Sequence, residues 1–418
     1  MHRKHLQEIP VSGRNASNLA WSWDSDTDSD LLCGMGVTPM EKELQDTENT
    51  PQDFIVKISP PHKRQKVKER DDGFFIARRP RIVRPAQTVI SWDALPDELL
   101  LGIFSYLHLS DLLRVSRVCK RWHRLSCDES LWHSLDLTGK HIADGVIGRV
   151  LSYGVVAFRC PRSCVGEPSF TKMKLLRLQH LDLSNSTISF DAVQSIIYGC
   201  HKLQNLSLEG LALSDDIMSL ISHNTSLVRL NVGGCSGFSP ESLATMLTKC
   251  CRLDELNLSW CDFTADHVKC AAEHFPSSIT QLNFSGYRQN MEISDVKSLV
   301  ERCPNLTDLD LSDSVMLTAD CFPLFYQLTR LQHLGLSRCY QICPATVLEF
   351  GKKIPLKTLS VFGIVTESSL QILNESLPHI KINSCYFSTI ARPTTGNRKS
   401  RDMWGMRCKL TLNSKDYL

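Results

Sequence analysis

Seventeen cysteines and 14 histidines in a 418-residue chain are raw material for metal or thiolate chemistry, but their spacing does not assemble it. Zinc sites need paired C-x₂₋₄-C and C/H clusters. The loosely spaced pairs here, Cys160/Cys164 and Cys339/Cys343, stand without a second pair. His180, His201 and His333 recur at polar positions of a repeating pattern, where a histidine meets solvent or a strand face more readily than a metal. Neither a G-x-x-x-x-G-K-[ST] phosphate loop nor a G-x-S-x-G nucleophile turn is present. No catalytic residue, metal or cofactor is therefore expected. The side chains that remain suit recognition: Trp260, Arg288, Asp313 and Arg338, since tryptophan and arginine dominate binding energy at interfaces.

A repeat positions them. The pattern L-x-x-L-x-L recurs at Leu178/Leu181/Leu183, Leu203/Leu206/Leu208, Leu227/Leu230/Val232, Leu253/Leu256/Leu258 and Ile279/Leu282/Phe284. It continues at Leu306/Leu309/Leu311, Leu331/Leu334/Leu336, Leu356/Leu359/Val361 and Leu377/Ile380/Ile382, with starts 21 to 27 residues apart. That is the leucine-rich-repeat period. Two degenerate units precede it, centred on Leu135/Leu137 and Val156/Phe158. Each repeat also carries a helical half. Val193/Ile196/Ile197/Cys200, Leu243/Met246/Leu247/Cys250 and Val296/Leu299/Val300/Cys303 fall at i, i+3, i+4, i+7, and Ser239-Pro240 opens one such helix. Stacking buries what one strand and one helix cannot bury alone, which predicts an α/β solenoid with parallel strands on its concave side.

Trp260, Asp313 and Arg338 share one register, two residues beyond the last strand apolar residue. Most of the other repeats put glycine, serine or asparagine there, at Gly210, Gly234, Gly286, Gly363, Asn185 and Ser384, and Arg288 lies on the neighbouring loop. Cys235, Cys261, Cys339 and Cys385 take the small position at the turn, while Cys200, Cys250 and Cys303 end helix stripes. All seven read as packing residues.

The flanking segments differ in character. Residues 1–89 show little hydrophobic periodicity, with net charge −6 over residues 1–53 and +7 over 54–89, and are expected to be disordered. Within them, Lys63, Arg64, Lys66 and Lys68 form a nuclear-localisation-like cluster, Ser59-Pro60 is a proline-directed phosphosite candidate, and Arg3-x-x-Leu6 has the form of a destruction box. Residues 385–418 are basic yet hold Tyr386, Phe387, Ile390, Trp404 and Met406. This tail should fold back along the concave face towards Glu209, Glu255, Asp308 and Asp310. No apolar run could span a bilayer, and no signal peptide opens the chain. The many cysteines should then be reduced thiols in the nucleus and cytoplasm.

Between residues 1–89 and the repeats lies a helical module, residues 90–136. Pro96 suits the first turn of a helix with Leu99, Leu100, Ile103, Phe104 and Leu107 on its apolar face. Ser110 should cap a second helix, and a third runs through Val118, Trp122 and Leu125. Its apolar surface exceeds what three short helices hide, so part of it should meet a partner or the adjacent solenoid. Here the sequence resembles the F-box, through Leu95, Pro96, Glu98, Leu99, Phe104, Leu107, Leu112, Val118, Cys119, Trp122, Leu131 and Trp132. With residues 137–384 read as the solenoid, the chain is similar to F-box proteins with leucine-rich repeats. Met1–Ile9, Leu311–Leu317, Val361–Val365 and Ile390–Pro393 sharpen that likeness.

The resemblance implies a non-catalytic substrate receptor of an SCF (cullin-RING) ubiquitin ligase. Leu95 to Trp122 would bind the S-phase kinase-associated protein 1 adaptor, which links to a cullin and a RING-finger subunit. Trp260, Arg288, Asp313, Arg338, Tyr386 and Phe387 would meet a cyclin-dependent-kinase regulatory accessory subunit and phosphorylated cyclin-dependent kinase inhibitors. The segment Leu31–Val37 would meet cyclin A. Neither nucleic acid nor membrane is an expected partner. A plain leucine-rich-repeat inhibitor would explain the solenoid and leave the F-box residues unused.

Overall fold

The computed structural model describes the backbone of residues 37–39 and residues 92–170, 175–394 and 402–411. These fall into two compact units, one holding 92–100 and the other 37–39 with 101–411. The expected degron at Arg3 and Leu6, the phosphosite at Ser59 and the basic cluster at Lys63, Arg64, Lys66 and Lys68 lie outside the described residues.

Three short helices form the module: α1 (Asp97–Phe104), α2 (Leu109–Val115) and α3 (Lys120–Ser126). Asp97 and Glu98 occupy the first turn of α1, where negative charge meets the positive end of the helix dipole. Ser110 does not cap α2. The helix starts two residues earlier than such a cap would place it, with His108 as the extended N-cap, and Ser110 lies inside it. Cys119 caps α3, its Sγ accepting from the Trp122 N–H at 3.4 Å. Phe104 packs edge-on against Trp122, with ring centroids 5.3 Å apart. Trp132 ties the end of the module to the first repeat: its Nε1–H donates to the Ser126 carbonyl at 2.7 Å, and its ring lies 5.0 Å from that of Tyr153.

The strands are β1 (Val37–Pro39), β2 (Ser134–Asp136), β3 (Lys140–Ile142), β4 (Ala157–Arg159), β5 (Cys164–Val165), β6 (His180–Asp182), β7 (Asn205–Ser207) and β8 (Arg229–Asn231). They continue as β9 (Glu255–Asn257), β10 (Gln281–Asn283), β11 (Asp308–Asp310), β12 (His333–Gly335), β13 (Thr358–Ser360), β14 (Lys381–Ile382), β15 (Asp402–Met403), β16 (Met406–Arg407) and β17 (Leu410–Thr411). A 12-stranded sheet runs β14 down to β6, then β4, β2 and β17. From β2 to β14 it is parallel and in register, so the central residues Leu135, Phe158, Leu181, Leu206, Leu230, Leu256, Leu282, Leu309, Leu334, Leu359 and Ile382 form one ladder. The two degenerate units are therefore true rungs. Nearly all of the ladder is buried, at about 1.5–3 kcal/mol per large side chain, and the three predicted helix stripes are buried with it.

Two features depart from the sequence reading. Three residues of the segment expected to be disordered form β1, which pairs antiparallel with β3. Cys385 is exposed rather than packed, whereas Cys200, Cys235, Cys250, Cys261, Cys303 and Cys339 are buried as expected. The last repeat has only a two-residue strand, so its turn does not close over Cys385 as the longer ones close over their cysteines.

Among the first rungs, Arg159 is buried between Asp136 and Asp182, at 3.3 and 3.7 Å. Burial pushes the Asp182 carboxyl up to about 6, against hydrogen bonds from Ser184 and the charge of Arg159, which lower it. Its folded pKa thus exceeds its unfolded value, so the native state holds the proton more tightly. This group's contribution to stability falls as pH rises from about 4 to 6. Urea midpoints of the parent measured against Asp182→Asn should decline over that window and level off above it. A constant difference from pH 4 to 7 would show that Asp182 ionises normally.

Candidate functional site

The third residue of most strands sets the backbone beyond it. Asp182 Oδ1, Asn231 Oδ1, Asn257 Oδ1, Asn283 Oδ1 and Asp310 Oδ1 each accept from the N–H two residues on, at 3.0–3.3 Å. These are Asx turns. The next residue turns left-handed and donates its N–H to the neighbouring repeat, as Trp260 does to Ser285, Asp313 to Ser337 and Arg338 to Phe362. The left-handed register holds Gly139, Asn185, Gly210, Gly234, Gly286 and Gly363, but also Arg162 (φ 52°), Trp260 (φ 59°), Asp313 (φ 62°) and Arg338 (φ 59°). Ser384 is not in it. The short last strand moves the left-handed residue one place back, to Asn383.

For a side chain with a Cβ this conformation costs about 1–2 kcal/mol relative to glycine. The ladder demands the backbone and says nothing about the side chain. Four large residues stand where glycine would serve, and three of them, Trp260, Asp313 and Arg338, lie together on one groove, which makes them candidates for binding. Glycines on the following repeats make room for them. A Cβ at Gly286 would stand 2.7 Å from the Trp260 ring, and one at Gly363 would stand 3.2 Å from Arg338 Cγ.

The structure joins the four residues as two pairs. Arg288, itself at positive φ on the next loop, lies with its guanidinium carbon 6.0 Å from the centre of the Trp260 ring. That is within cation–π range. Arg338 forms a two-pronged ion pair with Asp313, Nε to Oδ1 at 2.6 Å and Nη2 to Oδ2. Asp313 is buried, so it is not the surface contact that its sequence position suggested. It aims Arg338 and holds the guanidinium charged, while Arg338, Arg288 and Trp260 stay exposed.

The tail completes the site. From β14 it crosses the strand face, where the Ala391 N–H donates to Glu255 Oε2 at 3.1 Å and Arg392 pairs with Glu209 at 3.2 Å. It ends as β17, parallel to β2. Two of the four acidic residues expected to receive it do so. Asp308 and Asp310 instead engage Thr307 and Ser312, on their own repeat. Between tail and strands lies a groove of about 450 Å³, lined by Trp260, Asp313, Arg338 and Arg392 and by Tyr386 and Phe387. Tyr386 stacks on Phe362 with ring centres 4.8 Å apart, yet it and Phe387 stay largely exposed. Ser259, Ser285 and Ser337, buried on the groove floor, gave no sequence signal beyond their repeat position.

The F-box-like residues divide. Pro96, Glu98, Leu99, Val118 and Cys119 are exposed, and Leu95, Leu107 and Trp122 are half-buried. Phe104 and Leu112 are buried, at 3% and 1% exposure, and shape the module from inside rather than offering surface. A seven-residue α2 and an eight-residue α1 must bury at least one apolar stripe each, and these two residues lie on it. Sequence reading named Leu99 for the adaptor but missed its outward companions on α1, Ile103 and, beyond the helix end, Tyr106, spaced i, i+4, i+7 and 41–89% exposed. Burial pushes the thiols of Cys160, Cys200, Cys250, Cys261, Cys303, Cys321 and Cys339 up to about 12, which leaves them packing groups rather than nucleophiles.

Comparison with known proteins agrees with this layout. An F-box-like family model matches residues 92–138. Human F-box/LRR-repeat protein 12 is 59% identical over 44 residues, 10% of this chain and 14% of that protein. Mouse lysine-specific demethylase 2B is 26% identical over 320 residues, 70% of this chain and 22% of that protein. The chain thus spans less than a quarter of either relative. Among solved structures, LegL7 from Legionella pneumophila (TM-score 0.33, 17% identity, 47% of this chain and 70% of that one) and yeast Rad7 with Elc1 (TM-score 0.39, 15% identity, 68% and 74%) share limited similarity. The model for the SKP2 LRR domain matches residues 145–411, from the first repeat through the returning tail to β17, and the chain belongs to that family.

Proposed function

We propose that this chain is the substrate-recognition subunit of an SCF-type ubiquitin ligase, resembling S-phase kinase-associated protein 2. The carrying observation is the left-handed register, where Trp260, Asp313 and Arg338 stand in place of glycine around a groove that the tail closes. The exposed stripe of α1 takes the S-phase kinase-associated protein 1 adaptor and, through it, a cullin and a RING-finger subunit. The groove rim takes the cyclin-dependent-kinase regulatory accessory subunit together with a phosphorylated cyclin-dependent kinase inhibitor. Polyubiquitination of such inhibitors would promote entry into S phase, in nucleus and cytoplasm, with cyclin A held by the N-terminal segment.

The chain itself performs no bond chemistry in this reading. It contributes proximity, holding a substrate lysine where the thioester carried by another subunit can react. Arg338 and Arg288 read acidic or aromatic groups on the accessory subunit, and Asp313 acts through Arg338. Single replacements Arg288→Ala, Asp313→Ala and Arg338→Ala should each weaken accessory-subunit binding by about 1–3 kcal/mol and slow ubiquitination of a phosphorylated inhibitor in a reconstituted reaction. Adaptor binding should not change. Parent-like binding and ubiquitination by all three variants would remove the rim assignment and leave the adaptor assignment standing.

A further inference from the structure

The early repeats carry a second, shorter ladder just beyond their left-handed turns. β3 pairs in parallel with β5, Cys164 of β5 bridges to Thr187, and Ala212 bridges to Ser236 two repeats on. At the first repeat this ladder has an outer edge, that of β3, with no preceding repeat to cover it. Open strand edges invite pairing with any extended chain, and terminal repeats of solenoids need caps. The main sheet meets the same problem at β2, where β17 closes the edge. On the second ladder the edge is closed by β1, with Val37 opposite Ile142, Thr38 opposite His141 and Pro39 opposite Lys140.

Backbone parity shows which groups are shared. The Lys140 N–H bonds to Ser163 Oγ at 3.2 Å, and the Ile142 carbonyl accepts from the Gly166 N–H at 2.8 Å, so both residues face β5. Alternation turns the N–H and carbonyl of His141 the other way, towards Thr38. β1 spans three residues, one of which, Pro39, has no N–H to give. A strand that short adds little binding energy, and its hold depends on being tethered to the same chain. Some 50 residues separate Pro39 from the helical module along the sequence.

We propose that the outer edge of β3 is a strand-docking surface, that Val37–Pro39 of the same chain is its resident occupant, and that the occupant is exchangeable. While docked, residues 37–39 are withheld from any partner that binds them in extended form, so the first repeat and such a partner compete for one segment. The competition needs no change elsewhere in the solenoid. It rests on strand pairing alone and stands whether or not the ligase reading does.

The test uses the full chain. Thr38→Pro removes the donor opposite His141 and should leave the fold intact, because no part of the main sheet depends on it. Amide exchange at His141 should quicken at least tenfold in this variant, with β6 to β12 unchanged. A fluorescein-labelled synthetic peptide of residues 34–41 should bind the variant at least tenfold more tightly than the parent. Paired cysteines, Thr38→Cys with His141→Cys, should link on mild oxidation, since residues directly opposite in antiparallel strands fall within disulfide range. Thr38→Cys alone should not link to Cys164, which lies one strand further away. Equal exchange at His141 in parent and variant, a peptide bound by both alike or by neither, or no 38–141 link by mass spectrometry would each overturn the proposal.

Discussion

Replacing Leu99 and Ile103 together with aspartate should lower affinity for an S-phase kinase-associated protein 1-type adaptor by about a hundredfold, or about 3 kcal/mol, without moving the melting temperature. Both residues lie on the outward stripe of α1, 56% and 41% exposed, so charge there meets water in the free protein and costs the fold little. In a complex the same stripe is desolvated, and two buried carboxylates without partners are strongly unfavourable. Alanine at Leu95 and Pro96, which the sequence alone suggests, is a less clean probe. Leu95 is half-buried, and its loss mixes packing with binding. Calorimetric titration of the adaptor against parent and variant, with thermal melts alongside, reads both quantities. Undiminished adaptor affinity in the double aspartate variant would rule out α1 as the docking face.

Ending the chain at Cys385 should cost roughly 3–5 kcal/mol of stability as well as accessory-subunit binding. Ile390, Ala391, Met403, Cys408 and Leu410 are all buried, at 0–7% exposure, so the tail is part of the core and not an appendage. Its removal also strips β17 from β2, leaving the first rung of the main sheet as an open edge prone to aggregation. Arg392 would no longer neutralise Glu209, and the groove would lose its Tyr386–Phe387 wall. Urea unfolding should show the midpoint fall, and pull-down with the accessory subunit should show the lost binding. Arg288→Ala separates the two effects, because its exposed guanidinium lies over the Trp260 ring and covers no buried charge, so its loss should weaken binding and leave the midpoint in place. A tail rapidly digested from the intact free protein, with no loss of stability, would contradict the packing described.

What the sequence determined by itself is everything that local periodicity encodes. A leucine pattern near 25 residues dictated rungs from Leu135 to Ile382. The i, i+3, i+4, i+7 stripes dictated which helix faces are buried, and the shared register brought Trp260, Asp313 and Arg338 to one rim. These follow from strand and helix periods, which need no knowledge of distant partners. Only the tertiary structure decided which apolar stripe of α1 turns inward, because Phe104 and Leu99 are alike in hydrophobicity and differ only in what packs against them. It decided that Asp313 lies beneath Arg338 instead of beside it, since an ion pair between repeats depends on side-chain reach across the ladder and not on spacing along the chain. It also closed the solenoid's first repeat with two segments distant in sequence, β1 on β3 and β17 on β2. Just before β17 the Lys409 N–H reaches a Ser134 hydroxyl 275 residues away. No periodic signal spans that distance. The pairing exists because an open sheet edge and a tail with buried apolar groups are each unfavourable alone and satisfy one another only once the repeats have stacked.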